Sequence, residues 1–403
     1  MPGFNADRVY FPNLNGLRFI AALMVIVHHI EQFKSIYGLP NIFSSTTIQI
    51  FGELGVILFF VLSGFLITYL LLEEESKTGT IVIRNFYIRR ILRIWPLYFL
   101  IVILALLVLP NMPMFVLPGY DRAEVYSDLP GKIFLYLFFL PNLVSPLFGI
   151  VPYASLTWSI GTEEQFYLTW PVLLKNIKKY RLLLMLLIVL GYLFVARALY
   201  SSRTDFLPFK YEITAFWSTF NIDCMAIGGF FALIRHAKNS FLQVFQNKYL
   251  FYFALIITSV LLYRGVYFPV LMVNEIKFEY LYKEFYALWF GIIILNFAAN
   301  PGILINLESR ILRYLGKISY GLYMYHPICI VFVLTIALFF RQTSDWVLYP
   351  LSLLTVILVA GLSYKYFESY FLKFKRKFTI VASGESIEST ERPGQQGQLA
   401  ERP

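Results

Sequence analysis

Residues 55–72 read GVILFFVLSGFLITYLLL, a run of eighteen residues without a charged side chain. The run belongs to a longer apolar window at 50–72, and about 20 apolar residues are enough for a helix to cross a hydrocarbon core about 30 Å thick. The rest of the chain has the same character, because 58% of its 403 residues are hydrophobic and only 14% are charged. Soluble domains carry about 25% charged residues. The sequence therefore predicts an integral membrane protein.

Similar apolar windows recur along the chain, and we count eleven candidates. The first is not expected to be a cleaved signal peptide, because it contains Arg18 and ends at His28 and His29 rather than at small residues. The windows lie near residues 14–33, 50–72, 91–110, 132–147, 158–174, 182–200, 213–234, 249–269, 282–299, 318–340 and 346–371.

The basic residues predict the orientation of these windows, since Lys and Arg accumulate on the cytoplasmic side of a membrane. Five basic clusters all fall on one side only if window 132–147 is a re-entrant or interfacial segment. This interpretation predicts ten spans, both termini in the cytoplasm and a largest outer region at 111–157. The clusters are Lys77 to Arg93 (Lys77, Arg84, Arg89, Arg90, Arg93), then Lys175, Lys178, Lys179 and Arg181, then Arg235, Lys238 and Lys248, then Arg310, Arg313 and Lys317, and finally Lys373, Lys375, Arg376 and Lys377.

Composition also argues against several other classes of protein. The net charge of +10 falls in loops between apolar runs, so we expect membrane lipids and no nucleic acid as partners. Cys224 and Cys329 lie in apolar stretches and are expected to pack, without a disulfide. No Walker A, dinucleotide, G-x-S-x-G or zinc-type pattern occurs, and we expect no metal. The polar residues 380–403 predict a disordered cytoplasmic tail.

Two ionisable residues lie on one face of the first window. Arg18 and His29 are eleven residues apart, which is almost three helical turns and about 16 Å along the axis. An ionisable group at membrane depth costs at least about 2.5 kcal/mol on insertion scales, so it needs a physical reason. A functional site formed by Arg18 and His29 is one such reason. The alternative is that Arg18 extends to lipid headgroups while His29 is a hydrogen-bonded core residue. His28 points about 100° away and is expected to be a bystander.

The fifth window sets two adjacent carboxylates, Glu163 and Glu164, into an apolar helix. Adjacent helical residues do not share a face, so one is expected to point inward. In the predicted topology both lie at a depth similar to that of His29. A carboxylate that orients an imidazole helps it take a proton from a hydroxyl group. The alternative is a salt link between helices.

Arg89, Arg90 and Arg93 begin the third window on its cytoplasmic side. Arg89 and Arg93 share a helix face, so two guanidinium groups can meet the phosphates of one cytosolic ligand. The alternative is the ordinary positive-inside signal with contacts to lipid headgroups. Asp223, His326 and Glu368 are further ionisable residues within or at the ends of later windows.

The order of these motifs resembles the membrane acyltransferase 3 family, which includes O-antigen, exopolysaccharide and peptidoglycan O-acetyltransferases. The resemblance covers about residues 9–371. The matching stretches are LNGLRFIAALMVIVHH (14–29), GVILFFVLSGFLIT (55–68), FYIRRILRIWPLYFL (86–100), LTWSIGTEEQFYLTWP (156–171), IDCMAIGGFFA (222–232), LGKISYGLYMYHP (315–327) and YKYFES (364–369).

The resemblance implies an all-α integral membrane domain of about ten transmembrane helices over residues 9–371, in the plasma (inner) membrane. It implies transfer of an acyl group, most often acetyl, from acyl-CoA to a hydroxyl of a carbohydrate or lipid-linked glycan. The co-substrate is expected to be acetyl-CoA, with no metal, and proteins of polysaccharide synthesis are further candidate partners.

The resemblance also assigns roles to residues by their place in the motifs. It implies that His29 and Arg18 are catalytic, with Glu163 and Glu164 beside them. It implies that the donor binds Arg89, Arg90 and Arg93, and that Ser63, Trp158 and His326 contact the substrate. His29 would act as a general base on the acceptor hydroxyl or accept the acyl group itself.

The sequence departs from the family pattern at one position where relatives often have a charged residue. Ile57 stands where the second stretch often has an acidic residue, and Glu53 lies one turn earlier.

Three alternative functions also remain open. The chain could be a transporter or flippase for a lipid-linked or anionic solute, whose intramembrane charges line a path. It could be a scaffold in a polysaccharide-synthesis complex, or a transferase for succinyl instead of acetyl.

Overall fold

Helices make up most of the fold. The structure is a computed structural model that describes residues 8–201, 204–237, 242–265 and 281–383. The α-helices in these ranges are α1 (Leu14–Ile36), α2 (Thr46–Thr78), α3 (Ile83–Ile103), α4 (Arg122–Tyr126), α5 (Leu129–Leu137), α6 (Val144–Phe148), α7 (Trp158–Asn176), α8 (Arg181–Leu199), α9 (Lys210–Phe220), α10 (Ile222–Ala237), α11 (Lys248–Tyr263), α12 (Tyr282–Ala299), α13 (Arg310–Lys317), α14 (Ser319–Phe339), α15 (Asp345–Ser363) and α16 (Ser369–Lys375).

Seven helical stretches of the described residues are long and apolar enough to cross a membrane. Helix α11 is apolar but has only 16 residues, and α7 and α12 carry charged side chains that reduce their apolar character. The structure therefore gives a multi-helix membrane protein, and the count of ten spans stays a prediction. The seven stretches are Leu14–Ile36, Thr46–Thr78, Ile83–Asn111, Arg181–Leu199, Lys210–Ala237, Ser319–Phe339 and Asp345–Phe378.

Window 132–147 contains no helix long enough to cross a membrane. Helix α5 has nine residues and α6 has five, and a 3₁₀ turn at Pro141–Leu143 separates them. Nine residues at 1.5 Å per residue span only about 14 Å. The chain breaks here at Phe139, which has a positive φ of 54°.

Helix α2 lies at the centre of the fold and packs against α1, α10 and α12. Its crossing with α10 is close because both helices place glycine at the contact. A Cβ atom on Gly64 would lie 1.9 Å from the carbonyl oxygen of Met225, and a Cβ on Gly228 would lie 2.2 Å from that of Val61. Close helix approach through small residues is the usual packing of membrane helices.

The two ends of the described chain meet in a short parallel pair of strands, β1 (Arg8–Val9) and β2 (Ala382–Ser383). Apart from this two-residue pair the described fold is helical, as the sequence predicts, and Ala382 and Ser383 belong to the tail expected to be disordered from residue 380. Residues 384–403 of that predicted tail lie outside the described residues, as do Lys238 and the end of window 249–269.

Candidate active site

The side chain of His29 is fixed by its own helix. Its Nδ1 atom lies 2.8 Å from the carbonyl oxygen of Val25, one turn earlier in α1. A carbonyl oxygen only accepts, so Nδ1 carries the proton and donates, which leaves the lone pair on Nε2. That nitrogen has no hydrogen-bond partner among the described residues, and the side chain is only half-buried. His29 therefore presents a reachable base.

A second histidine from α14 lies against His29. The ring centroids of His29 and His326 are 4.7 Å apart. The Nδ1 atom of His326 donates to the carbonyl oxygen of Tyr323 at 2.6 Å, and its Nε2 atom is buried without a partner among the described residues. Both rings thus have the same tautomer, with Nε2 unprotonated. His28 also contacts His29, at 5.0 Å between centroids, but its Nδ1 bonds to Ile48.

Glu163 of α7 binds one hydroxyl group of α2 and one of its own helix. It accepts a hydrogen bond from Ser63 at 2.9 Å and another from Tyr167 at 2.8 Å. Glu164, on the next face of the helix, accepts from the indole Nε1 of Trp95 at 3.0 Å. Neither carboxylate hydrogen-bonds to His29 in the described part of the chain. The predicted carboxylate–histidine pair is therefore not formed, because both carboxylates have partners on α2, α3 and α7.

Trp158 is the first residue of α7, and Tyr323 of α14 contacts the residue that follows it, Ser159. The Trp158 ring packs edge-on against Phe60 of α2, with centroids 6.1 Å apart, and is half-buried. The hydroxyl groups of Tyr323 and Ser159 are 2.8 Å apart and both are buried. Because Tyr323 also contacts the His326 ring at 5.8 Å, these residues connect α7 to the histidines.

Arg18 lies on α1, about three turns from His29. Its Nη1 atom donates to Asn15 at 3.0 Å. It also interacts electrostatically with Arg90, Arg93 and Glu163. Arg18 therefore connects α1 to the basic start of α3, and we call Arg18, Arg89, Arg90 and Arg93 the arginine cluster.

The arginines of α3 have different partners. Arg89 forms an ion pair with Glu74 at 2.9 Å, and its other terminal nitrogen donates to the carbonyl oxygen of Phe378 at 2.7 Å. The guanidinium of Arg90 stacks over Tyr167 at 5.3 Å and over Phe86 at 5.6 Å. The Nε atom of Arg90 is buried without a partner among the described residues. Arg90 thus keeps donors for a ligand.

A small cavity, with about 30 Å³ of space open to water, lies beside these arginines. Arg89 and Arg90 line it together with Glu74, Phe86 and Lys375. Guanidinium groups bind phosphate oxygens through two parallel hydrogen bonds. The three cations of the lining therefore suit a phosphorylated ligand.

A second cluster of charged side chains lies at the start of α10 and α12. Asp223 and Glu284 are buried and interact with each other. The neighbouring Lys283 forms an ion pair with Glu53 at 3.1 Å. Glu53 is the residue that the sequence offers in place of an acid at Ile57, and its partner is this lysine. Glu368, the third of the later ionisable residues, lies in a π-helical turn after α15 and interacts electrostatically with Arg93.

Four residues of the site are not singled out by the sequence analysis. Tyr167 is a partner of Glu163, and Trp95 is a partner of Glu164. Tyr323 is a neighbour of His326, and Lys375 is part of the cavity lining. A tyrosine in an apolar helix is common, and Lys375 lies in a run of basic residues typical of a cytoplasmic end. Only the contact between Tyr167 and Glu163, which are one helical turn apart, could have been expected from helical spacing.

The described residues contain no group of three His, Cys, Asp or Glu side chains that could bind a metal ion. Cys224 and Cys329 are both buried and free. The arrangement offers a base at His29, a neighbouring imidazole and a cationic cavity. These groups are suited to acyl transfer between a phosphorylated donor and a hydroxyl group.

The chain is similar in sequence to proteins named as known or candidate O-acetyltransferases. The chain is 27% identical over 398 residues to the peptidoglycan O-acetyltransferase OatA of Listeria monocytogenes, which covers 92% of this chain and 58% of OatA. It is 33% identical over 173 residues to YrhL of Bacillus subtilis, a candidate peptidoglycan O-acetyltransferase, covering 41% of this chain and 24% of YrhL. The chain thus spans little more than half the length of OatA. No solved structure matches the chain.

The sequence profile of the acyltransferase 3 family, described as an acyltransferase domain, matches residues 11–365. This range contains every predicted site residue from Arg18 to His326, and most of the chain. The resemblance carried by the seven motifs is confirmed, and the chain belongs to the acyltransferase 3 family.

Proposed function

We propose that this protein is an integral membrane O-acyltransferase that moves an acetyl group from acetyl-CoA to a hydroxyl of a cell-envelope carbohydrate. The proposal includes residues 9–371 as the transferase domain, ten spans in the plasma (inner) membrane and both termini in the cytoplasm. The observation that carries it is the tautomer of His29. Its Nδ1 atom is bound to Val25, so Nε2 is free to act as a base.

The donor binds at the basic end of the helices. Acyl-CoA is cytosolic and carries phosphates, so its charged part binds the cavity at Arg89 and Arg90 with Arg93 nearby. The side chains of these arginines supply forked donors to phosphate oxygens. The acyl end extends along α1 past Arg18 toward His29.

The reaction exchanges a thioester for an ester. The Nε2 atom of His29 takes the proton of the acceptor hydroxyl as its oxygen attacks the thioester carbonyl. The C–O bond forms, the C–S bond breaks, and the proton passes to the thiolate of CoA. The cation of Arg18 stabilises negative charge that develops on the donor. A glutamate is not needed to orient His29, since Val25 already does so.

The acceptor side uses residues near His29. We assign contacts with the acceptor to Ser63, Trp158 and His326. The half-buried indole of Trp158 offers a face for a sugar ring, and the Nε2 atom of His326 can accept a hydroxyl proton. Ser63 already donates its proton to Glu163, so it can only accept from the substrate.

The test is a mass-spectrometric assay with purified protein, acetyl-CoA and membrane glycans. We expect a gain of about 42 Da per modified hydroxyl, the mass that acetyl adds in replacing hydrogen, together with release of free CoA thiol. The His29→Asn variant should give neither product. Release of no thiol and no mass gain with folded wild-type protein, over a panel of glycans, would overturn the proposal. Movement of the glycan across a vesicle membrane without thiol release would instead identify a flippase.

A further inference from the structure

The chain after the last long helix approaches the arginine cluster. Lys375 ends α16 and interacts electrostatically with Arg18, Arg89, Arg90 and Arg93. It lines the same cavity as two of them. Its Nζ atom has no hydrogen bond or ion pair among the described residues, although the side chain is half-buried. An anion bound between neighbouring cations offsets their repulsion.

The residues that follow Lys375 form part of the cavity wall. Thr379 and Val381 line it, and the carbonyl oxygen of Phe378 accepts a hydrogen bond from Arg89 at 2.7 Å. The Thr379 hydroxyl donates to the carbonyl oxygen of Lys375 at 2.9 Å. The parallel pairing of β2 with β1 then ties this segment to the start of the chain. The segment is therefore positioned by several independent contacts.

The charges of the lining are unbalanced. Its charged residues are Arg89, Arg90, Lys375 and Glu74, so three cations face one carboxylate in the described part of the chain. Glu74 is already paired with Arg89. Arg90 and Lys375 are left with positive charge directed at the cavity, where a phosphate group would neutralise both.

We infer that Lys375 and the segment 375–381 form part of the donor-binding site, with the Lys375 ammonium binding a phosphate of acyl-CoA. This inference rests on the proposed function for the identity of the donor. The same phosphate chemistry is found in the headgroup of an anionic lipid, and the experiment separates the two sources. Lys supplies a point charge to phosphate where Arg supplies a fork, so Lys375 complements the arginines.

The experiment measures binding of CoA to the full chain in nanodiscs of phosphatidylcholine, by calorimetry. Lys375→Gln should weaken binding about tenfold, the effect expected for loss of one charge-assisted hydrogen bond of about 1.5 kcal/mol. Lys375→Arg should keep most of the affinity. Lys373→Gln, at an exposed position of the same helix, is the matched control and should bind as wild type does. Equal affinity of Lys375→Gln and wild type would overturn the inference.

Further arms separate this inference from the proposed function. If wild-type protein does not bind CoA, the proposed donor is wrong. If it binds CoA and Lys375→Gln binds equally well, only the role of Lys375 is wrong. Nanodiscs that also contain phosphatidylglycerol test whether a lipid headgroup is the source of the phosphate. If the anionic lipid displaces CoA from the wild-type protein, and CoA binding does not depend on the CoA phosphates, the site binds a headgroup. That result would overturn the inference. Comparison with CoA that lacks its 3′-phosphate shows which phosphate Lys375 binds, because only a contact to that group disappears with it.

Discussion

The imidazole rings of His29 and His326 lie 4.7 Å apart, centroid to centroid, with planes inclined at 60°. One ring comes from α1 and the other from α14, so the contact joins two helices that are far apart in the sequence. Each Nδ1 atom donates to a carbonyl oxygen of its own helix. The two Nε2 atoms therefore both remain as bases, and only that of His29 belongs to a half-buried side chain.

The first prediction concerns the base. Asparagine retains a donor near the position of Nδ1 and lacks Nε2, so His29→Asn should preserve the bond to Val25 and remove the catalytic nitrogen. We expect kcat to fall by about 10²- to 10⁴-fold, the usual contribution of general base catalysis. His28→Asn is the matched control, because His28 bonds to Ile48 through Nδ1. Release of CoA thiol measures both. Retained activity in His29→Asn would remove this residue from the chemistry.

The second prediction concerns the neighbouring ring. His326→Asn should retain the bond to Tyr323 and lose the buried Nε2 atom, which has no partner among the described residues. If His326 acts with His29, kcat should fall while the KM for acetyl-CoA stays constant. The double variant with His29→Asn should then lose no more activity than His29→Asn alone, because residues that act together are not additive. Additive losses in the double variant would contradict this arrangement.

The apolar pattern of the sequence predicts the positions of the main helices. Apolar length and charge placed Leu14–Ile36 and Ser319–Phe339 within a few residues of the observed helices. The side-chain partners could not be read in this way, because they depend on how the helices pack. Glu163 was expected near His29 but bonds to Ser63 and Tyr167. Lys375 looked like an ordinary basic end, and only the fold brings it to the cavity.

The third prediction concerns the donor. Arg90→Gln should raise the KM for acetyl-CoA about tenfold or more, since the loss of a charged donor costs about 1.5–3 kcal/mol. The kcat should change less, because in the proposed site Arg90 binds the phosphates and not the reacting atoms. Arg84→Gln is the control at an exposed position of the same helix. Raised salt should reduce donor affinity in wild type more than in Arg90→Gln, as the charged contact is screened. An unchanged KM would remove the docking role.

The fourth prediction concerns the Glu163 link between α2 and α7. Glu163→Ala leaves the hydroxyl groups of Ser63 and Tyr167 without their acceptor. Each buried unsatisfied group costs about 1–3 kcal/mol, so the midpoint of thermal unfolding in detergent should fall. Glu163→Gln retains an acceptor oxygen and should be less destabilised. Glu124→Ala, at an exposed position, serves as the control. Equal midpoints for Glu163→Ala and the control would show that this link does not stabilise the fold.

The fifth prediction concerns the crossing of α2 and α10. A Cβ atom at Gly64 would lie 1.9 Å from the carbonyl oxygen of Met225, which is closer than two such atoms can approach. Gly64→Ala must therefore separate the helices, and overpacking of this kind costs about 1–3 kcal/mol or more. Gly191→Ala is the matched control within α8, because no atom lies within 4 Å of its added Cβ. That change should be neutral, or stabilising by up to about 1 kcal/mol through helix propensity. The unfolding midpoint in detergent should fall for Gly64→Ala alone, and acetyl transfer should fall with it, because α2 carries Ser63 next to the substituted residue. If both alanine variants unfold at the wild-type midpoint, the two helices are not in close contact at Gly64.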